Sequence, residues 1–234
     1  MLLAGLTTVA DWIASDEGLF CYGEPDDCLH PSRWLEKRRM VAKQALDRIG
    51  WLKRKPLASK DVLFQEAFPK MMPRPLQVEM ERITSAVAKP SVYIIEAPMG
   101  EGKTEAALLC FLRLQAQLSH RGFYIAMPTQ ATGNAMYQRV VTFLQNLGVD
   151  RKVDLQLVHG SAALDRLLDN KPGTAPASSE GLCRGVKSDV EASEWFGSRK
   201  KALLSEHGVG TIDQALMSVL NVRHNYLRMW GLAN

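Results

Sequence analysis

Cysteine is scarce in this chain of 234 residues: Cys21, Cys28, Cys110 and Cys183 are the four, and no two stand in a C-x-x-C pair. That spacing argues against a disulfide framework or a zinc site and suits a reducing cytoplasm, where we expect the protein to reside. No stretch approaches 18 uninterrupted apolar residues, so neither a transmembrane helix nor a membrane partner is expected. The apolar opening Met1–Ala14 lacks a basic n-region and carries Asp11, which sets it apart from a secretory leader. Charge is not extreme either. The net charge is +4, with 46% hydrophobic and 23% charged residues, ordinary values for a globular protein with one or two domains. The positive charge is unevenly placed: Ser32 to Lys60 holds ten Lys or Arg against two acids, Glu36 and Asp47. Nucleic-acid contact and a solvated helix face are equally good readings of such a block.

What is present centres on Val92–Leu118. Val92–Glu96 is a nearly continuous, β-branched apolar run, the pattern of a buried parallel strand. Ala97–Thr104, A-P-M-G-E-G-K-T, is a variant of the phosphate-binding loop. Ala107, Cys110, Phe111, Leu114 and Leu118 then fall on one face of a helix, with Gly122 as its C′ residue. The chemistry follows from residue type. Gly100 and Gly102 permit left-handed backbone, so that N–H groups from Met99 to Gly102 can face phosphate oxygens. The helix N-terminus adds about half a positive charge. Lys103 can reach the β- and γ-phosphates of ATP, and the Thr104 hydroxyl can ligate Mg²⁺. The bland alternative, a chance glycine turn before a helix, does not account for the strand–loop–helix context with Gly-Lys-Thr intact.

Elsewhere the spacing predicts a helix over Leu2–Ala14 with Leu2, Leu6, Val9 and Ile13 along one face. Because a compact domain seldom starts on a bare apolar helix, a preceding segment is expected. Asp16–Pro31 is loop-like. Ser32 is a candidate N-cap for a basic helix to about Ile49, with Trp34, Met40, Val41 and Leu46 inward. Residues 50–75 carry Pro56, Pro69, Pro73 and Pro75 and a basic run at Lys53–Lys55, the composition of a linker. A helix from Leu76 to about Ala88 leads to the loop strand. Beyond the loop helix, strands at Phe123–Met127 and Leu155–Val158 flank a helix, Ala131–Leu147, with Met136, Val140, Phe143, Leu144 and Leu147 inward. This β-α-β order implies a parallel sheet. Ser161–Glu194 is a long loop between short helices. Trp195–Ser205 is predicted to be a basic helix, Gly208-Val209-Gly210 a very short strand, Thr211–Leu220 a helix and Arg223–Leu232 another.

A-P-M-G-E-G-K-T, then M-P-T-Q-A-T-G-N-A-M-Y-Q-R-V, then G-V-G-T-I-D-Q-A-L, in that order, resemble a superfamily 2 helicase. More narrowly, they resemble the CRISPR-associated helicase–nuclease of type I systems. P-R-P-L-Q (Pro73–Gln77) stands where that family has its adenine-reading motif, and Leu3–Ser15 is similar to the closing helix of its HD nuclease domain. The resemblance implies an α/β fold: residues 1–49 the helical end of a nuclease domain, 50–75 a linker, and 76–234 the first RecA-like lobe. It implies ATP and Mg²⁺ held by Gln77, Met99, Gly100, Glu101, Gly102, Lys103 and Thr104, with Lys103 and Thr104 serving turnover. It implies single-stranded DNA held by Thr129, Gln130 and Asn134 and, more loosely, by Thr211, Asp213 and Gln214. Asp11 matches a metal-ligating aspartate of the nuclease, whose complete site takes a divalent transition metal. An RNA-guided surveillance complex is the implied partner. Without the family, Gln77 reads as a surface glutamine, Thr129 or Thr132 as a helix cap, and Asp11 as a solvent-facing helix residue.

The departures are specific. His30, His120, His159, His207 and His224 are followed by Pro, Arg, Gly, Gly and Asn, so the nuclease's His-Asp dyad is absent. The family's D-E-x-H motif is absent too, and with it the second lobe, which makes the chain read as an internal portion of such a protein or the product of a truncated gene. The expectation is an ATP-driven DNA translocase and nuclease of CRISPR interference, incomplete here. The alternatives are a generic P-loop NTPase such as a nucleotide kinase, another superfamily 2 DNA helicase unrelated to CRISPR, and a residual binding module without turnover.

Overall fold

The computed structural model describes residues 1–52, 55–86, 89–148, 153–158, 190–191, 194–196 and 201–233. The helices are α1 (Leu2–Ala14), α2 (Pro31–Arg48), α3 (Phe64–Ala67), α4 (Pro75–Ser85), α5 (Lys103–Leu118), α6 (Gln130–Asn146), α7 (Ile212–Leu216) and α8 (Asn225–Ala233). The strands are β1 (Phe123–Met127), β2 (Val153–Val158), the two-residue β3 (Val190–Glu191) and β4 (His207–Thr211). All pair in parallel, in the order β1-β4-β2-β3. The protein is α/β, as the alternation of elements predicts.

The strand read as very short, around Gly208-Val209-Gly210, is the centre of the sheet and wholly buried. Its glycines have a packing reason. A Cβ at Gly208 would meet the Tyr124 ring at 2.9 Å, and one at Gly210 would meet Val158 O at 1.9 Å and Tyr124 Oη at 2.5 Å. The tyrosine thus lies across β4 and donates to Thr211 O at 2.8 Å. On the opposite face Phe123 stacks on His207 with ring centroids 4.5 Å apart, and Phe111 of α5 meets Phe123 edge-on at 4.7 Å. That face carries the main core: Leu108, Leu109 and Leu112 of α5, Met136, Val140, Phe143 and Leu144 of α6, and Val153, Leu155 and Val209. Of the inward set predicted for α6, Met136, Val140, Phe143 and Leu144 are buried, with Gly133, and Leu147, just past the helix, is partly buried against the same core.

Several expectations need correction. Val92–Glu96 forms no strand: residues 91–98 carry no regular structure, and Val92 and Ile94 are 92% and 86% exposed. Its alternation is nonetheless that of a strand. Tyr93 and Ile95 pack on Met80, Ala106 and Cys110. An apolar run becomes sheet only where a neighbour takes its backbone hydrogen bonds, and among the described residues none pairs with it. The face predicted for α5 is also shifted. Ala107 is exposed, and the buried residues are Glu105, Ala106, Leu108, Leu109, Cys110, Leu112, Arg113 and Gln115. The helix is wedged between α4 and the main core, so a single stripe does not describe it. It ends on Ser119 at φ 58° rather than at Gly122.

In α1, Val9 and Ile13 are buried but Leu2 and Leu6 are about half exposed; Gly5 is buried instead, against Trp230 of α8. The N-cap of α2 is His30 and its first residue Pro31, so Ser32 lies inside the helix. Of its expected inner residues, Trp34 and Met40 are exposed and Val41 and Leu46 half-buried, while Ala45 and Ile49, outside that set, are buried. A second core gathers Val9, Ile13, Ala45, Ile49, Phe196, Leu204 and Leu227 around Trp51, whose indole donates to Leu204 O at 3.2 Å. The proline-rich stretch 50–75 places Leu57, Val62, Phe64, Ala67 and Phe68 in the main core, so its composition conceals buried structure. Over Trp195–Ser205 the described residues form two separate single turns, Glu194–Phe196 and Ala202–Leu204. Most of the 161–194 loop, and Cys183 with it, lies outside the described residues.

Candidate nucleotide site and nucleic-acid groove

The phosphate-loop sequence folds into a turn followed directly by α5. Gly100 and Gly102 adopt φ of +88° and +73°. Space above Gly100 is open, since a Cβ there would meet nothing within 4 Å. Gly102 is the N-cap of α5, and no side chain caps that first turn. The N–H groups at the helix start are therefore left to an external acceptor, the arrangement that suits an anion. Lys103 bends back over the turn, its Nζ donating to Ala97 O at 2.6 Å and Pro98 O at 2.8 Å. This places an ammonium at the loop's centre, and no carboxylate among the described residues pairs with it.

A cavity of about 1100 Å³ opens on this turn, lined among others by Arg74, Gln77, Met99, Gly100, Gly102, Lys103, Thr104, Glu105 and Arg139. Its size accommodates a nucleotide. Glu101 stands at the rim, 3.5 Å from Arg74 Nη1, and Met99 is almost fully exposed. Arg74 also donates to the carbonyl of Gly100.

Gln77 is 2% exposed. Its Oε1 accepts from Arg74 N at 2.6 Å, and its Nε2 donates to Glu101 O at 3.1 Å and Gly102 O at 2.9 Å. It is thus neither a surface glutamine nor, in this arrangement, free to read a base. Both amide hydrogens are committed to the loop, so a full base contact requires the amide to swing off it. A Cβ at Gly102 would approach Gln77 Nε2 to 2.1 Å, which is a second reason for glycine there.

The two predicted strand-contacting segments converge. Met127 at the end of β1 pairs with Thr211 at the end of β4. Pro128-Thr129-Gln130 and Ile212-Asp213-Gln214 consequently leave the sheet side by side at its carboxyl end, where open α/β sheets bind ligands. Thr129, Gln130, Thr211, Asp213 and Gln214 line one groove of about 430 Å³ with Leu216, Met217 and Leu220. Asn134 is exposed one turn further along α6 and is not part of the groove wall. Thr129 is the N-cap of α6, its Oγ1 accepting from Thr132 N at 3.3 Å, so the capping role is real whatever else the residue does. Burial, with the Asp213 carboxylate adding to it, raises the Tyr124 phenol well above its usual value and keeps its hydrogen on Thr211 O.

Asp11 is exposed on α1, and no group of three or more His, Cys, Asp or Glu that could hold a metal gathers among the described residues. Two residues of the nucleotide cavity, Arg139 and Glu105, were invisible to sequence reasoning. They stand 34 residues apart and meet as an ion pair, Arg139 Nη2 to Glu105 Oε1, at 2.5 Å. Among the described residues no helix is long and apolar enough to cross a membrane.

No protein-family model matches the chain. It is 42% identical, over 98% of its length, to the CRISPR-associated endonuclease/helicase Cas3 of Thermus thermophilus, of which it spans 24%. To the CRISPR-associated nuclease/helicase Cas3 of Streptococcus thermophilus it is 32% identical over 100% of its length and 25% of that protein. The crystal structure of T. fusca Cas3 with AMPPNP superposes on 99% of this chain and 25% of that one, with a TM-score of 0.72 and 33% identity. The chain therefore spans about a quarter of the length of the relatives it matches. In sequence and in fold it corresponds, nearly end to end, to one segment of the CRISPR-associated endonuclease/helicase Cas3.

Proposed function

We propose that this chain is the ATP- and DNA-binding part of a CRISPR-interference helicase–nuclease. In that reading, Lys103 and the N–H groups of Gly100 to Thr104 hold the phosphates, and Thr104 supplies a hydroxyl to Mg²⁺. Thr129, Gln130 and Asn134, and more loosely Thr211, Asp213 and Gln214, hold the single-stranded DNA. Asp11 belongs to a nuclease centre that takes a divalent transition metal. An RNA-guided surveillance complex in the cytoplasm is the partner that delivers the strand.

The observation that supports this best is the pairing of Met127 with Thr211. It brings two segments 82 residues apart (211 − 129) into one groove, at the end of a sheet against which the helix that follows the phosphate loop packs. The test is titration of the chain with fluorescent ATP and with fluorescein-labelled oligo-thymidylate. Lys103→Ala should weaken ATP at least about tenfold, the loss of roughly 1.4 kcal/mol, and leave DNA binding in place. Gln130→Ala with Gln214→Ala should do the reverse. DNA that fails to bind while ATP binds would leave a generic P-loop NTPase; unchanged ATP affinity in Lys103→Ala would remove the nucleotide assignment.

A further inference from the structure

We propose that the outward ridge of α2 is a docking surface for double-stranded DNA, separate from the groove at the carboxyl end of the sheet. It goes beyond the function proposed above and uses none of the residues named there. The helix carries six Lys or Arg against two acids, Glu36 and Asp47, a net +4 (6 − 2) that equals the net charge of the whole chain. The rest of the chain is formally neutral, so the excess charge that a polyanion seeks is on this helix. The groove cannot supply it. None of the residues lining that groove is Lys or Arg, and Asp213 adds a carboxylate. Yet neutralising phosphates supplies a large share of the affinity for a duplex.

The structure sorts the six cations. Arg38 Nη1 donates to Cys21 O at 2.6 Å and Arg48 Nη1 to Gly18 O at 2.7 Å, so these two pin the loop that precedes the helix. Arg33, Lys37, Arg39 and Lys43 are exposed and form neither a hydrogen bond nor an ion pair with any described residue. A merely solvated helix face is commonly laced by i,i+4 pairs. Here Asp47 stands four residues from Lys43, and Glu36 three from both Arg33 and Arg39, yet no pair forms. At about 100° per residue, Arg33 and Lys37 make one row along the helix, and Arg39 and Lys43 a second about 120° round its axis. Glu36, Met40 and Asp47 lie between the rows, on the side opposite buried Ala45 and Ile49. No residue from Pro31 to Gln44 is buried, so this end of α2 projects as a ridge. A helix about 10–12 Å across fits a major groove about 12 Å wide. Each row then meets one phosphate track, whereas a single strand would engage only one row.

The test is fluorescence anisotropy of this chain with a fluorescein-labelled duplex, and with one of its strands, titrated at several salt concentrations. For wild type, duplex affinity should fall about 100-fold between about 50 and 200 mM salt, the slope of about four neutralised phosphates. In Arg33→Gln/Lys37→Gln/Arg39→Gln/Lys43→Gln that fall should shrink to less than about threefold, while the single strand keeps most of its affinity. Glutamine preserves the helix, which circular dichroism checks. Lys55→Gln/Lys60→Gln/Lys70→Gln/Lys89→Gln removes the same net charge from exposed lysines off the helix and should keep most of the wild-type slope. Glu36→Gln/Asp47→Asn removes the acids between the rows and should tighten the duplex severalfold at low salt, a gain that no folding defect imitates. Gln130→Ala/Gln214→Ala should leave duplex affinity unchanged, so this inference and the proposed function fail separately. The inference is overturned by a duplex that does not bind wild type at about 50 mM salt, or by a slope that survives in the α2 variant. It is equally overturned by a slope lost as much in the lysine control, or by an equal loss for the single strand.

Discussion

Replacing Gln77 by alanine is the most informative single change, because geometry predicts two effects where the motif alone predicts one. The side chain is buried and makes three hydrogen bonds, one accepted from Arg74 N and two donated to Glu101 O and Gly102 O. Each is worth about 0.5–1.5 kcal/mol net, so their joint loss costs ~3 kcal/mol. For a chain of this size, at about 2–4 °C per kcal/mol, the melting temperature should fall by roughly 6–12 °C in differential scanning fluorimetry. ATP and GTP affinities should fall together, because the loop loses the amide that holds Glu101 and Gly102. Their ratio should also approach one if the amide swings onto the base when a nucleotide is bound. Gln77→Glu discriminates further. A carboxylate still accepts from Arg74 N but faces two carbonyls with nothing to donate, so it should be nearly as damaging as alanine. A melting temperature within about 2 °C of wild type for Gln77→Ala would refute the view that this residue ties the loop to α4.

Three further outcomes follow from the same structure. Gly210→Ala should prevent soluble folding or cost more than about 4 kcal/mol by urea titration, because its Cβ would approach Val158 O to 1.9 Å in the middle of the sheet. Burial pushes the Cys110 thiol up to about 11. Held protonated in the folded chain, it should resist thiol reagents at pH 8 while exposed Cys21 and Cys28 react. The stability it contributes is intact below pH 9 and is lost as the pH rises toward 11, a slope that Cys110→Ala should remove. Steady-state phosphate release by this chain should match that of its Lys103→Ala variant. Among the described residues lining the nucleotide cavity the one acid is Glu105, and it is engaged by Arg139, so no carboxylate there is poised for Mg²⁺ or water.

The sequence by itself determined the elements whose causes are local. The Gly-x-Gly-Lys-Thr turn, the helix behind it, the apolar stripe of α6 and the order of motifs all lie within short windows, where residue type and spacing act directly on the backbone. Only the tertiary structure decided matters that depend on neighbours remote in the chain. Val92–Glu96 has the composition of a strand, but strand formation is settled by whether another backbone lies alongside, and none of the described residues supplies one. The stripe of α5 could not be chosen because the helix is covered on two sides, by α4 and by the main core. Proline-rich 50–75 carries the signs of an exposed connection, yet Phe68 is drawn against Phe143, and Phe64 against Phe68, by the apolar area they remove from water. The placing of Thr129 and Asp213 on one groove, and the meeting of Glu105 with Arg139, are likewise products of strand register and helix packing. A pattern with a period of two or 3.6 residues records which face is apolar; it holds no record of what that face will touch.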